Sequence, residues 1–393
     1  MHFPAAIAVC LALGAPSVTL ANATCGGSFA GFVAGLKGEA VARGHDRGAV
    51  DRFFAGVRQD PEVIRRDRAQ GFFLRDFIDF SRRLISQYRL DKGQQNAARH
   101  AAVFDEIDRR FGVSRGVLLA FWALETDYGA VQGDFNTLNA LVTLSHDCRR
   151  PELFRPQVFA ALTLFERGDF DPARMTGAWA GEIGQVQMLP EDILENGVDG
   201  DGDGHVRLKT SAPDALMSGA NMLRDLGWRP SEPWMQEVVI PDGLPWPETG
   251  LDHRKAVADW AALGVQAREG SLGPGGMPAS VLLPVGRNGP AFLVYPNFRV
   301  FFEWNRSLVY VTTAAYLATR LEGAPPYDPR RPDPGLSGAE MKRLQQRLVA
   351  RGHDVGGIDG ILGAKTRAAV QKEQLRLGLP ADSWPTPELL NRL

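Results

Sequence analysis

Cysteine is scarce in this chain, with three in 393 residues, which excludes a disulfide-dense framework. Neither sign of charge dominates. The formal net charge is -2, and that excludes nucleic-acid binding driven by bulk electrostatics. Beyond residue 20 no apolar run reaches the roughly 20 residues that a membrane helix needs. What remains is an ordinary globular composition, 44% hydrophobic and 23% charged, in a chain long enough for more than one domain.

The stretch Ile7 to Leu20 is mostly apolar, short for a membrane span, and followed by Ala21 and Ala23 in an A-x-A pattern. Residues 1–23 therefore read as an export signal, although its leading charge is only His2 and the amino terminus. Thr24 before Cys25 argues against a lipoprotein anchor. Removing the signal removes Cys10 and leaves Cys25 and Cys148, an even pair in an oxidising compartment. A disulfide between them is expected; two free buried thiols are the alternative.

Helical spacing dominates from Phe29 to Trp228. Phe72, Phe73, Phe77 and Phe80 recur at core spacing, and Leu153, Phe154, Val158, Leu162 and Phe165 form one stripe that Gly168 ends. Met217 to Leu226 is another helix, stopped by Gly227. Between Pro230 and Pro296 proline and glycine are dense, and Val281–Leu283 and Ala291–Tyr295 read as strands. Helix returns from Leu308 to Leu321. The fold class is thus mainly α (α+β). Residues 323–335 are rich in Pro and Arg and read as a semi-rigid linker between a main domain, 24–322, and a small unit, 336–393. In that unit Ser337 and Glu340 form a capping box, a second helix runs from about Ala364 to Leu377, and Thr386-Pro387 opens a third. Fewer than about 70 residues make a marginal core, which suits an accessory module.

One helix carries a candidate for chemistry. Ser114 can cap a helix through Val117, Leu118, Phe121, Trp122 and Glu125 to Tyr128, with Gly129 ending it. Glu125 shares a stripe with Leu118, Phe121 and Trp122. Burial there raises a carboxyl pKa, and a carboxylic acid kept protonated near neutral pH is what cleavage of a glycosidic bond requires. The competing reading is a glutamate at the stripe edge paired to an arginine.

The segment Ala123-Leu124-Glu125-Thr126-Asp127-Tyr128-Gly129 resembles the catalytic segment of the lytic murein transglycosylase B family. Gly177-Ala178-Trp179-Ala180-Gly181-Glu182-Ile183-Gly184-Gln185-Val186-Gln187-Met188-Leu189-Pro190 is similar to a second family run. Asp199 to His205, Ala220-Asn221, Gly227-Trp228, Tyr295-Pro296-Asn297-Phe298-Arg299 and Trp304-Asn305-Arg306-Ser307 follow in the family's order. The resemblance spans roughly Phe29 to Arg320. It implies a lysozyme-like helical catalytic domain with a small β-containing part. It also implies that Glu125 protonates the oxygen between N-acetylmuramic acid and N-acetylglucosamine, then as a carboxylate takes the proton of the muramyl C6 hydroxyl. That hydroxyl closes a 1,6-anhydro ring without water, a one-carboxylate scheme that departs from the usual pair. Peptidoglycan is then the partner, and the periplasm the expected location.

By the same resemblance Arg149 and Arg150 contact substrate, with a solvated charged pair as the alternative. Gln187 and Asn297 match cleft residues, and Phe298 would form part of the cleft wall. Tyr295 and Trp304 are read as core, and Asp127 as structural. The chain departs from the family at Ala178, where a serine is usual, and at Glu182, where a small residue is usual. It departs again at Glu191-Asp192-Ile193 in place of Ser-Ser-Tyr, and at Met222 in place of tyrosine. These departures suit altered activity or subsite use.

Asp199-Gly200-Asp201-Gly202-Asp203-Gly204-His205-Val206 matches the first eight positions of an EF-hand loop, whose alternate carboxylates converge on a hard cation. The twelfth position is Thr210, so the usual closing glutamate is missing. As in the family's lengthened loop, Asp214 would close the site and His205 would offer its backbone carbonyl. The expectation is structural Ca2+, with sodium or an ion-free turn as alternatives. No organic cofactor is implied.

Leu344-Gln345-Gln346-Arg347-Leu348, Gly352 and Asp359-Gly360-Ile361-Leu362-Gly363-Ala364-Lys365-Thr366-Arg367-Ala368-Ala369-Val370 resemble the peptidoglycan-binding domain type 1 family, with a three-helix module implied. Glu373 stands where a Phe is usual. Two alternatives remain for the whole chain: a goose-type lysozyme-like hydrolase that lets water attack, or a catalytically weak wall-binding or scaffold protein.

Overall fold

The structure, a computed structural model, describes residues 25–69 and 75–393. The export-signal reading, Cys10, Phe72 and Phe73 lie outside the described residues. Helices dominate because caps and apolar stripes coincide. Ser28, Asp46, Asp76, Ser86, Ser114, Asn136, Ser211 and Ser307 each accept a backbone N–H at a helix start, satisfying donors the first turn would otherwise leave open. Among the described residues, no helix is long and apolar enough to cross a membrane.

Two apolar cores hold the helices of the main domain. One gathers helices Ala101–Phe111, Arg115–Thr126, Ala212–Asp225 and Leu308–Leu321. The other packs Thr137–His146 and Pro151–Arg167 against Phe32, Leu36 and Phe53 of the first helices. The helix containing Met217 starts at Ala212, five residues before the sequence expectation, because Ser211 caps it.

A five-stranded antiparallel sheet runs in the order Lys255–Ala256, Pro278–Leu282, Ala291–Val294, Met235–Val239, Gln266–Ala267. Its side chains alternate between faces with the period of two that strands impose. Leu282, Phe292 and Val294 join the first helical core, while Val281, Ala291 and Leu293 face a separate core around Trp260. Both faces are covered, so Ala291–Val294 is buried throughout and its apolar run is continuous. The strand Met235–Val239 was not anticipated, since its sequence mixes buried and half-exposed positions.

Cys25 and Cys148 are joined by a disulfide with Cα atoms 5.1 Å apart, closing 123 residues of sequence separation. Beside it the Gly26 N–H donates to the His146 carbonyl at 2.9 Å.

The C-terminal helices are Gly338–Ala350, Ala364–Arg376 and Pro387–Arg392, and the Ser337–Glu340 capping box is formed. Here the linker expectation needs correction. Residues 323–335 do not act as a spacer but pack along the main domain. Tyr327 is buried, its N–H donating to the Tyr316 hydroxyl at 3.1 Å, and the Asp333 carbonyl accepts the Trp384 indole N–H at 2.9 Å. The module docks directly. The buried Arg367 guanidinium donates to the Leu283 and Pro284 carbonyls, and burial pulls its pKa down to about 10. Glu373, at the position of the usual Phe, is enclosed but paired with His353, Arg351 and Arg376, so a buried charge replaces apolar packing there with its partners supplied.

Candidate active site

Glu125 is the penultimate residue of helix Arg115–Thr126, whose Val117, Leu118, Leu119, Ala120, Phe121 and Ala123 are buried. This helix lies against Leu308–Leu321 in the opposite direction. Gly116 permits the close approach, because a Cβ there would sit 2.8 Å from the Ala318 carbonyl oxygen. At the other end the same packing brings Tyr310 to Glu125.

The Tyr310 hydroxyl donates to Glu125 Oε1, and the Trp304 indole N–H donates to the same oxygen at 3.0 Å. The Trp304 ring stacks on Phe121, centroids 4.3 Å apart. Trp304 packs against both helical cores, as the sequence suggested, and in addition holds the carboxyl through its indole N–H. Tyr310 was missed altogether, because an apolar helix start gives no sign of what its hydroxyl meets. Tyr295, by contrast, is buried in the sheet core.

Burial pushes the Glu125 pKa up to about 7, against hydrogen bonds from Tyr310 and Trp304 that favour the carboxylate, with the charge of Glu182 pushing it up further. Desolvation wins because Glu125 is half-buried against the Trp304 and Tyr310 side chains, where the charged form loses much of its water. Both donors meet Oε1, which leaves Oε2 without either of them.

The chain reverses immediately after Glu125. The helix ends at Thr126, not at Tyr128 as spacing predicts, because Asp127, Tyr128 and Gly129 are all left-handed, with φ of 52°, 61° and 82°. Such strain persists only where surroundings impose it. Arg89 ion-pairs with Asp127 at 2.9 Å, and the Tyr128 hydroxyl donates to the Arg89 carbonyl at 2.7 Å. The Thr126 hydroxyl donates to the Gln185 carbonyl at 2.6 Å. A Cβ at Gly129 would lie 2.7 Å from Gln185 Oε1. The segment Gly177 to Pro190 is thereby fastened to the end of the glutamate helix.

The other expected site residues divide. Gln187 is half-buried in this segment with φ of 56°, its amide donating to the Gly184 carbonyl at 2.7 Å. Arg149 and Arg150 both donate to the carboxylate of Asp67. Asp67 is buried, while the two arginine side chains are 47% and 34% exposed. They are thus neither free nor simply solvated; a buried anion anchors them with their edges accessible. Asp67 sits in the distant helix Pro61–Arg68 and had no sequence signal.

Asn297 and Phe298 need correction. Both are fully enclosed. The Asn297 amide donates to the Arg229 and Glu232 carbonyls at 2.8 Å and accepts the Arg229 N–H, so it locks a loop instead of facing a cleft. Among the departures, Glu191 accepts the Gln157 amide at 3.0 Å and Asp192 accepts the Leu189 N–H at 3.1 Å. Met222 packs beside the second core. Ala178 donates its N–H to the Glu182 carbonyl at 3.0 Å.

In the acidic loop, carboxylate oxygens of Asp199, Asp201 and Asp203 lie within 4.8 Å of one another, a donor set that fits a hard cation. Asp214 does not join them. It is fully buried, with Oδ1 accepting the N–H groups of Gly200 and Asp201 at 2.9 and 3.3 Å and Oδ2 accepting that of Arg207 at 2.7 Å. It shapes the loop from within, which corrects its expected role as closing ligand. The His205 ring pairs with Asp169 at 2.8 Å.

The main domain is helical and lysozyme-like, with a half-buried glutamate at the end of a core helix. A family model described as "Transglycosylase SLT domain" matches residues 28–319, and one described as "Putative peptidoglycan binding domain" matches residues 337–393. The membrane-bound lytic murein transglycosylase B of Escherichia coli (strain K12) is 29% identical over 202 residues, 51% of this chain and 55% of the relative. The chain thus spans about half the length of that curated relative. The solved structure of SltB3 from Pseudomonas aeruginosa, in complex with NAG-anhNAM-pentapeptide, is 39% identical, with TM-score 0.86, 93% of this chain covered and 99% of that chain. Slt35 of Escherichia coli, solved in complex with calcium, shares the fold at 24% identity and TM-score 0.65, covering 79% and 98%. The chain belongs to the transglycosylase SLT domain family, the lytic transglycosylases, and carries a C-terminal peptidoglycan-binding domain.

Proposed function

We propose that this protein cleaves the β-1,4 bond between N-acetylmuramic acid and N-acetylglucosamine in peptidoglycan, leaving 1,6-anhydro ends, with Glu125 as the sole acid and base. The observation that carries the reading is the half-buried Glu125 carboxyl, with both donors on Oε1 and its pKa raised to about 7. Protonated, Oε2 gives its proton to the leaving glycosidic oxygen; ionised, the same group is held by Tyr310 and Trp304 as it takes the C6 hydroxyl proton. A group whose pKa lies near the working pH serves both steps. The half-exposed Arg149 and Arg150, prepositioned on Asp67, suit contact with the acidic and amide groups of the strand, and Gln187 lines the segment tied to Glu125. The periplasm, where peptidoglycan lies, is the site of action that fits this substrate.

Digestion of purified sacculi tests the proposal. Mass spectrometry is expected to find anhydro ends, one water lighter than reducing ends. Reducing ends as the main product would favour the goose-type hydrolase reading, and no cleavage would favour the wall-binding or scaffold reading.

Calcium is proposed as a structural ion held by Asp199, Asp201, Asp203 and the His205 carbonyl. Binding only to the native state would add about 2.7 kcal/mol at a hundredfold excess over Kd. Melting is expected at higher temperature in calcium than in chelator, and Asp201→Ala should erase the difference. Coincident wild-type curves would remove the ion from the proposal.

A further inference from the structure

Glu182 is an acidic group that the one-carboxylate scheme does not use. Its backbone is tightly held: the Glu182 carbonyl accepts the Ala178 N–H at 3.0 Å, and left-handed glycines stand near it at Gly181 and Gly184, with φ of 93° and 79°. Side chains at those two positions would collide with Leu141 and Leu208 at 2.3 and 2.5 Å. The backbone that carries the carboxyl is therefore fixed in place. One carboxylate oxygen, Oε2, is enclosed and has no hydrogen-bond partner. An enclosed carboxylate oxygen without a donor is costly, so a rigid segment that holds one points to a donor that arrives with the ligand.

Its charged surroundings are those of the active site. Burial raises the Glu182 pKa, the N–H groups of Glu182 and Ala180 oppose that, and Arg150 is the cation within electrostatic reach. Glu125 feels Glu182 in turn, alongside its own donors Tyr310 and Trp304. Arg150 is itself anchored on Asp67.

We propose that Glu182 is a positioning residue of the cleft: its segment is tied to the end of the Glu125 helix through Thr126 and Gln185, and it offers its unpartnered oxygen to an N–H or O–H donor of the bound glycan. This rests on the reading of Glu125 as the acid. Two nearby buried carboxyls titrate as a pair, and the first to ionise makes the second harder to ionise. Removing the charge of Glu182 lets Glu125 lose its proton at lower pH.

The test is the pH profile of kcat/KM for cleavage of soluble glycan fragments. Glu182→Gln is expected to move the alkaline limb to lower pH, with Glu182→Asp, which keeps the charge, lying closer to wild type. Unchanged limbs in both variants would overturn the inference. A readout without turnover guards against misfolded variants. Infrared difference titration of wild type should show protonated carboxyl bands lost in two steps, with the remaining buried step in Glu125→Gln falling to lower pH. A Glu182 step unmoved by Glu125→Gln would also overturn it. Cleavage retained in Glu125→Gln would instead mark the failure of the underlying reading, distinct from unchanged profiles in the Glu182 variants.

Discussion

Glu125→Gln is expected to reduce strand cleavage by at least roughly 10²–10⁴-fold, the contribution of a positioned acid–base group, with fold and wall binding retained. Glutamine keeps the shape of the side chain. Its carbonyl can still accept the Tyr310 hydroxyl and the Trp304 N–H, which both meet Oε1 in the wild type. What is lost is the proton on Oε2, which an amide cannot transfer. The sign of the pH dependence follows. The acid must be protonated, so wild-type kcat/KM is expected to decline as pH rises through about 7. Circular dichroism and sacculus sedimentation would establish that the variant folds and binds, and muropeptide release would measure cleavage. Full activity in the variant would show that another group is the acid.

The second large effect concerns stability. Replacing both Cys25 and Cys148 by serine is expected to cost about 2–4 kcal/mol, because the bond restricts a long loop in the unfolded chain. The bridge also fixes the first helix, whose Phe32 and Leu36 are buried in the second core. Urea unfolding should show a lower midpoint for the double variant, and thiol labelling of denatured, unreduced wild type should find no free thiol from these two residues. Equal midpoints, or two labelled thiols, would count against the bond.

Much of the scaffold was legible along the chain. The Ser114 cap, the stripe ending at Gly168, the helix Leu308–Leu321 and the Ser337–Glu340 box are local: each depends on residues within a turn or two, which helical periodicity reports directly. Glu125 was legible for the same reason, since its stripe partners are three, four and seven residues away. The helix end was not. Tyr128 is a poor choice for left-handed backbone, and it and Asp127 adopt it together because Arg89, 38 residues before Asp127 in the chain, holds both.

By itself, the sequence determined which segments become helices, which glutamate lies among large apolar groups, and which three aspartates crowd one loop. Tertiary structure alone decided the chemistry of that glutamate. Its proton affinity depends on Tyr310, Trp304 and Glu182, groups 57 to 185 residues distant that meet only when the helices pack. It likewise decided that Asn297 and Asp214 turn inward to backbone groups rather than outward to ligands. Motif matching reports which residue stands at a position. Whether its polar atoms are already taken up by a distant backbone N–H or carbonyl is settled by the folded neighbourhood, because buried polar groups must find partners wherever the chain brings them.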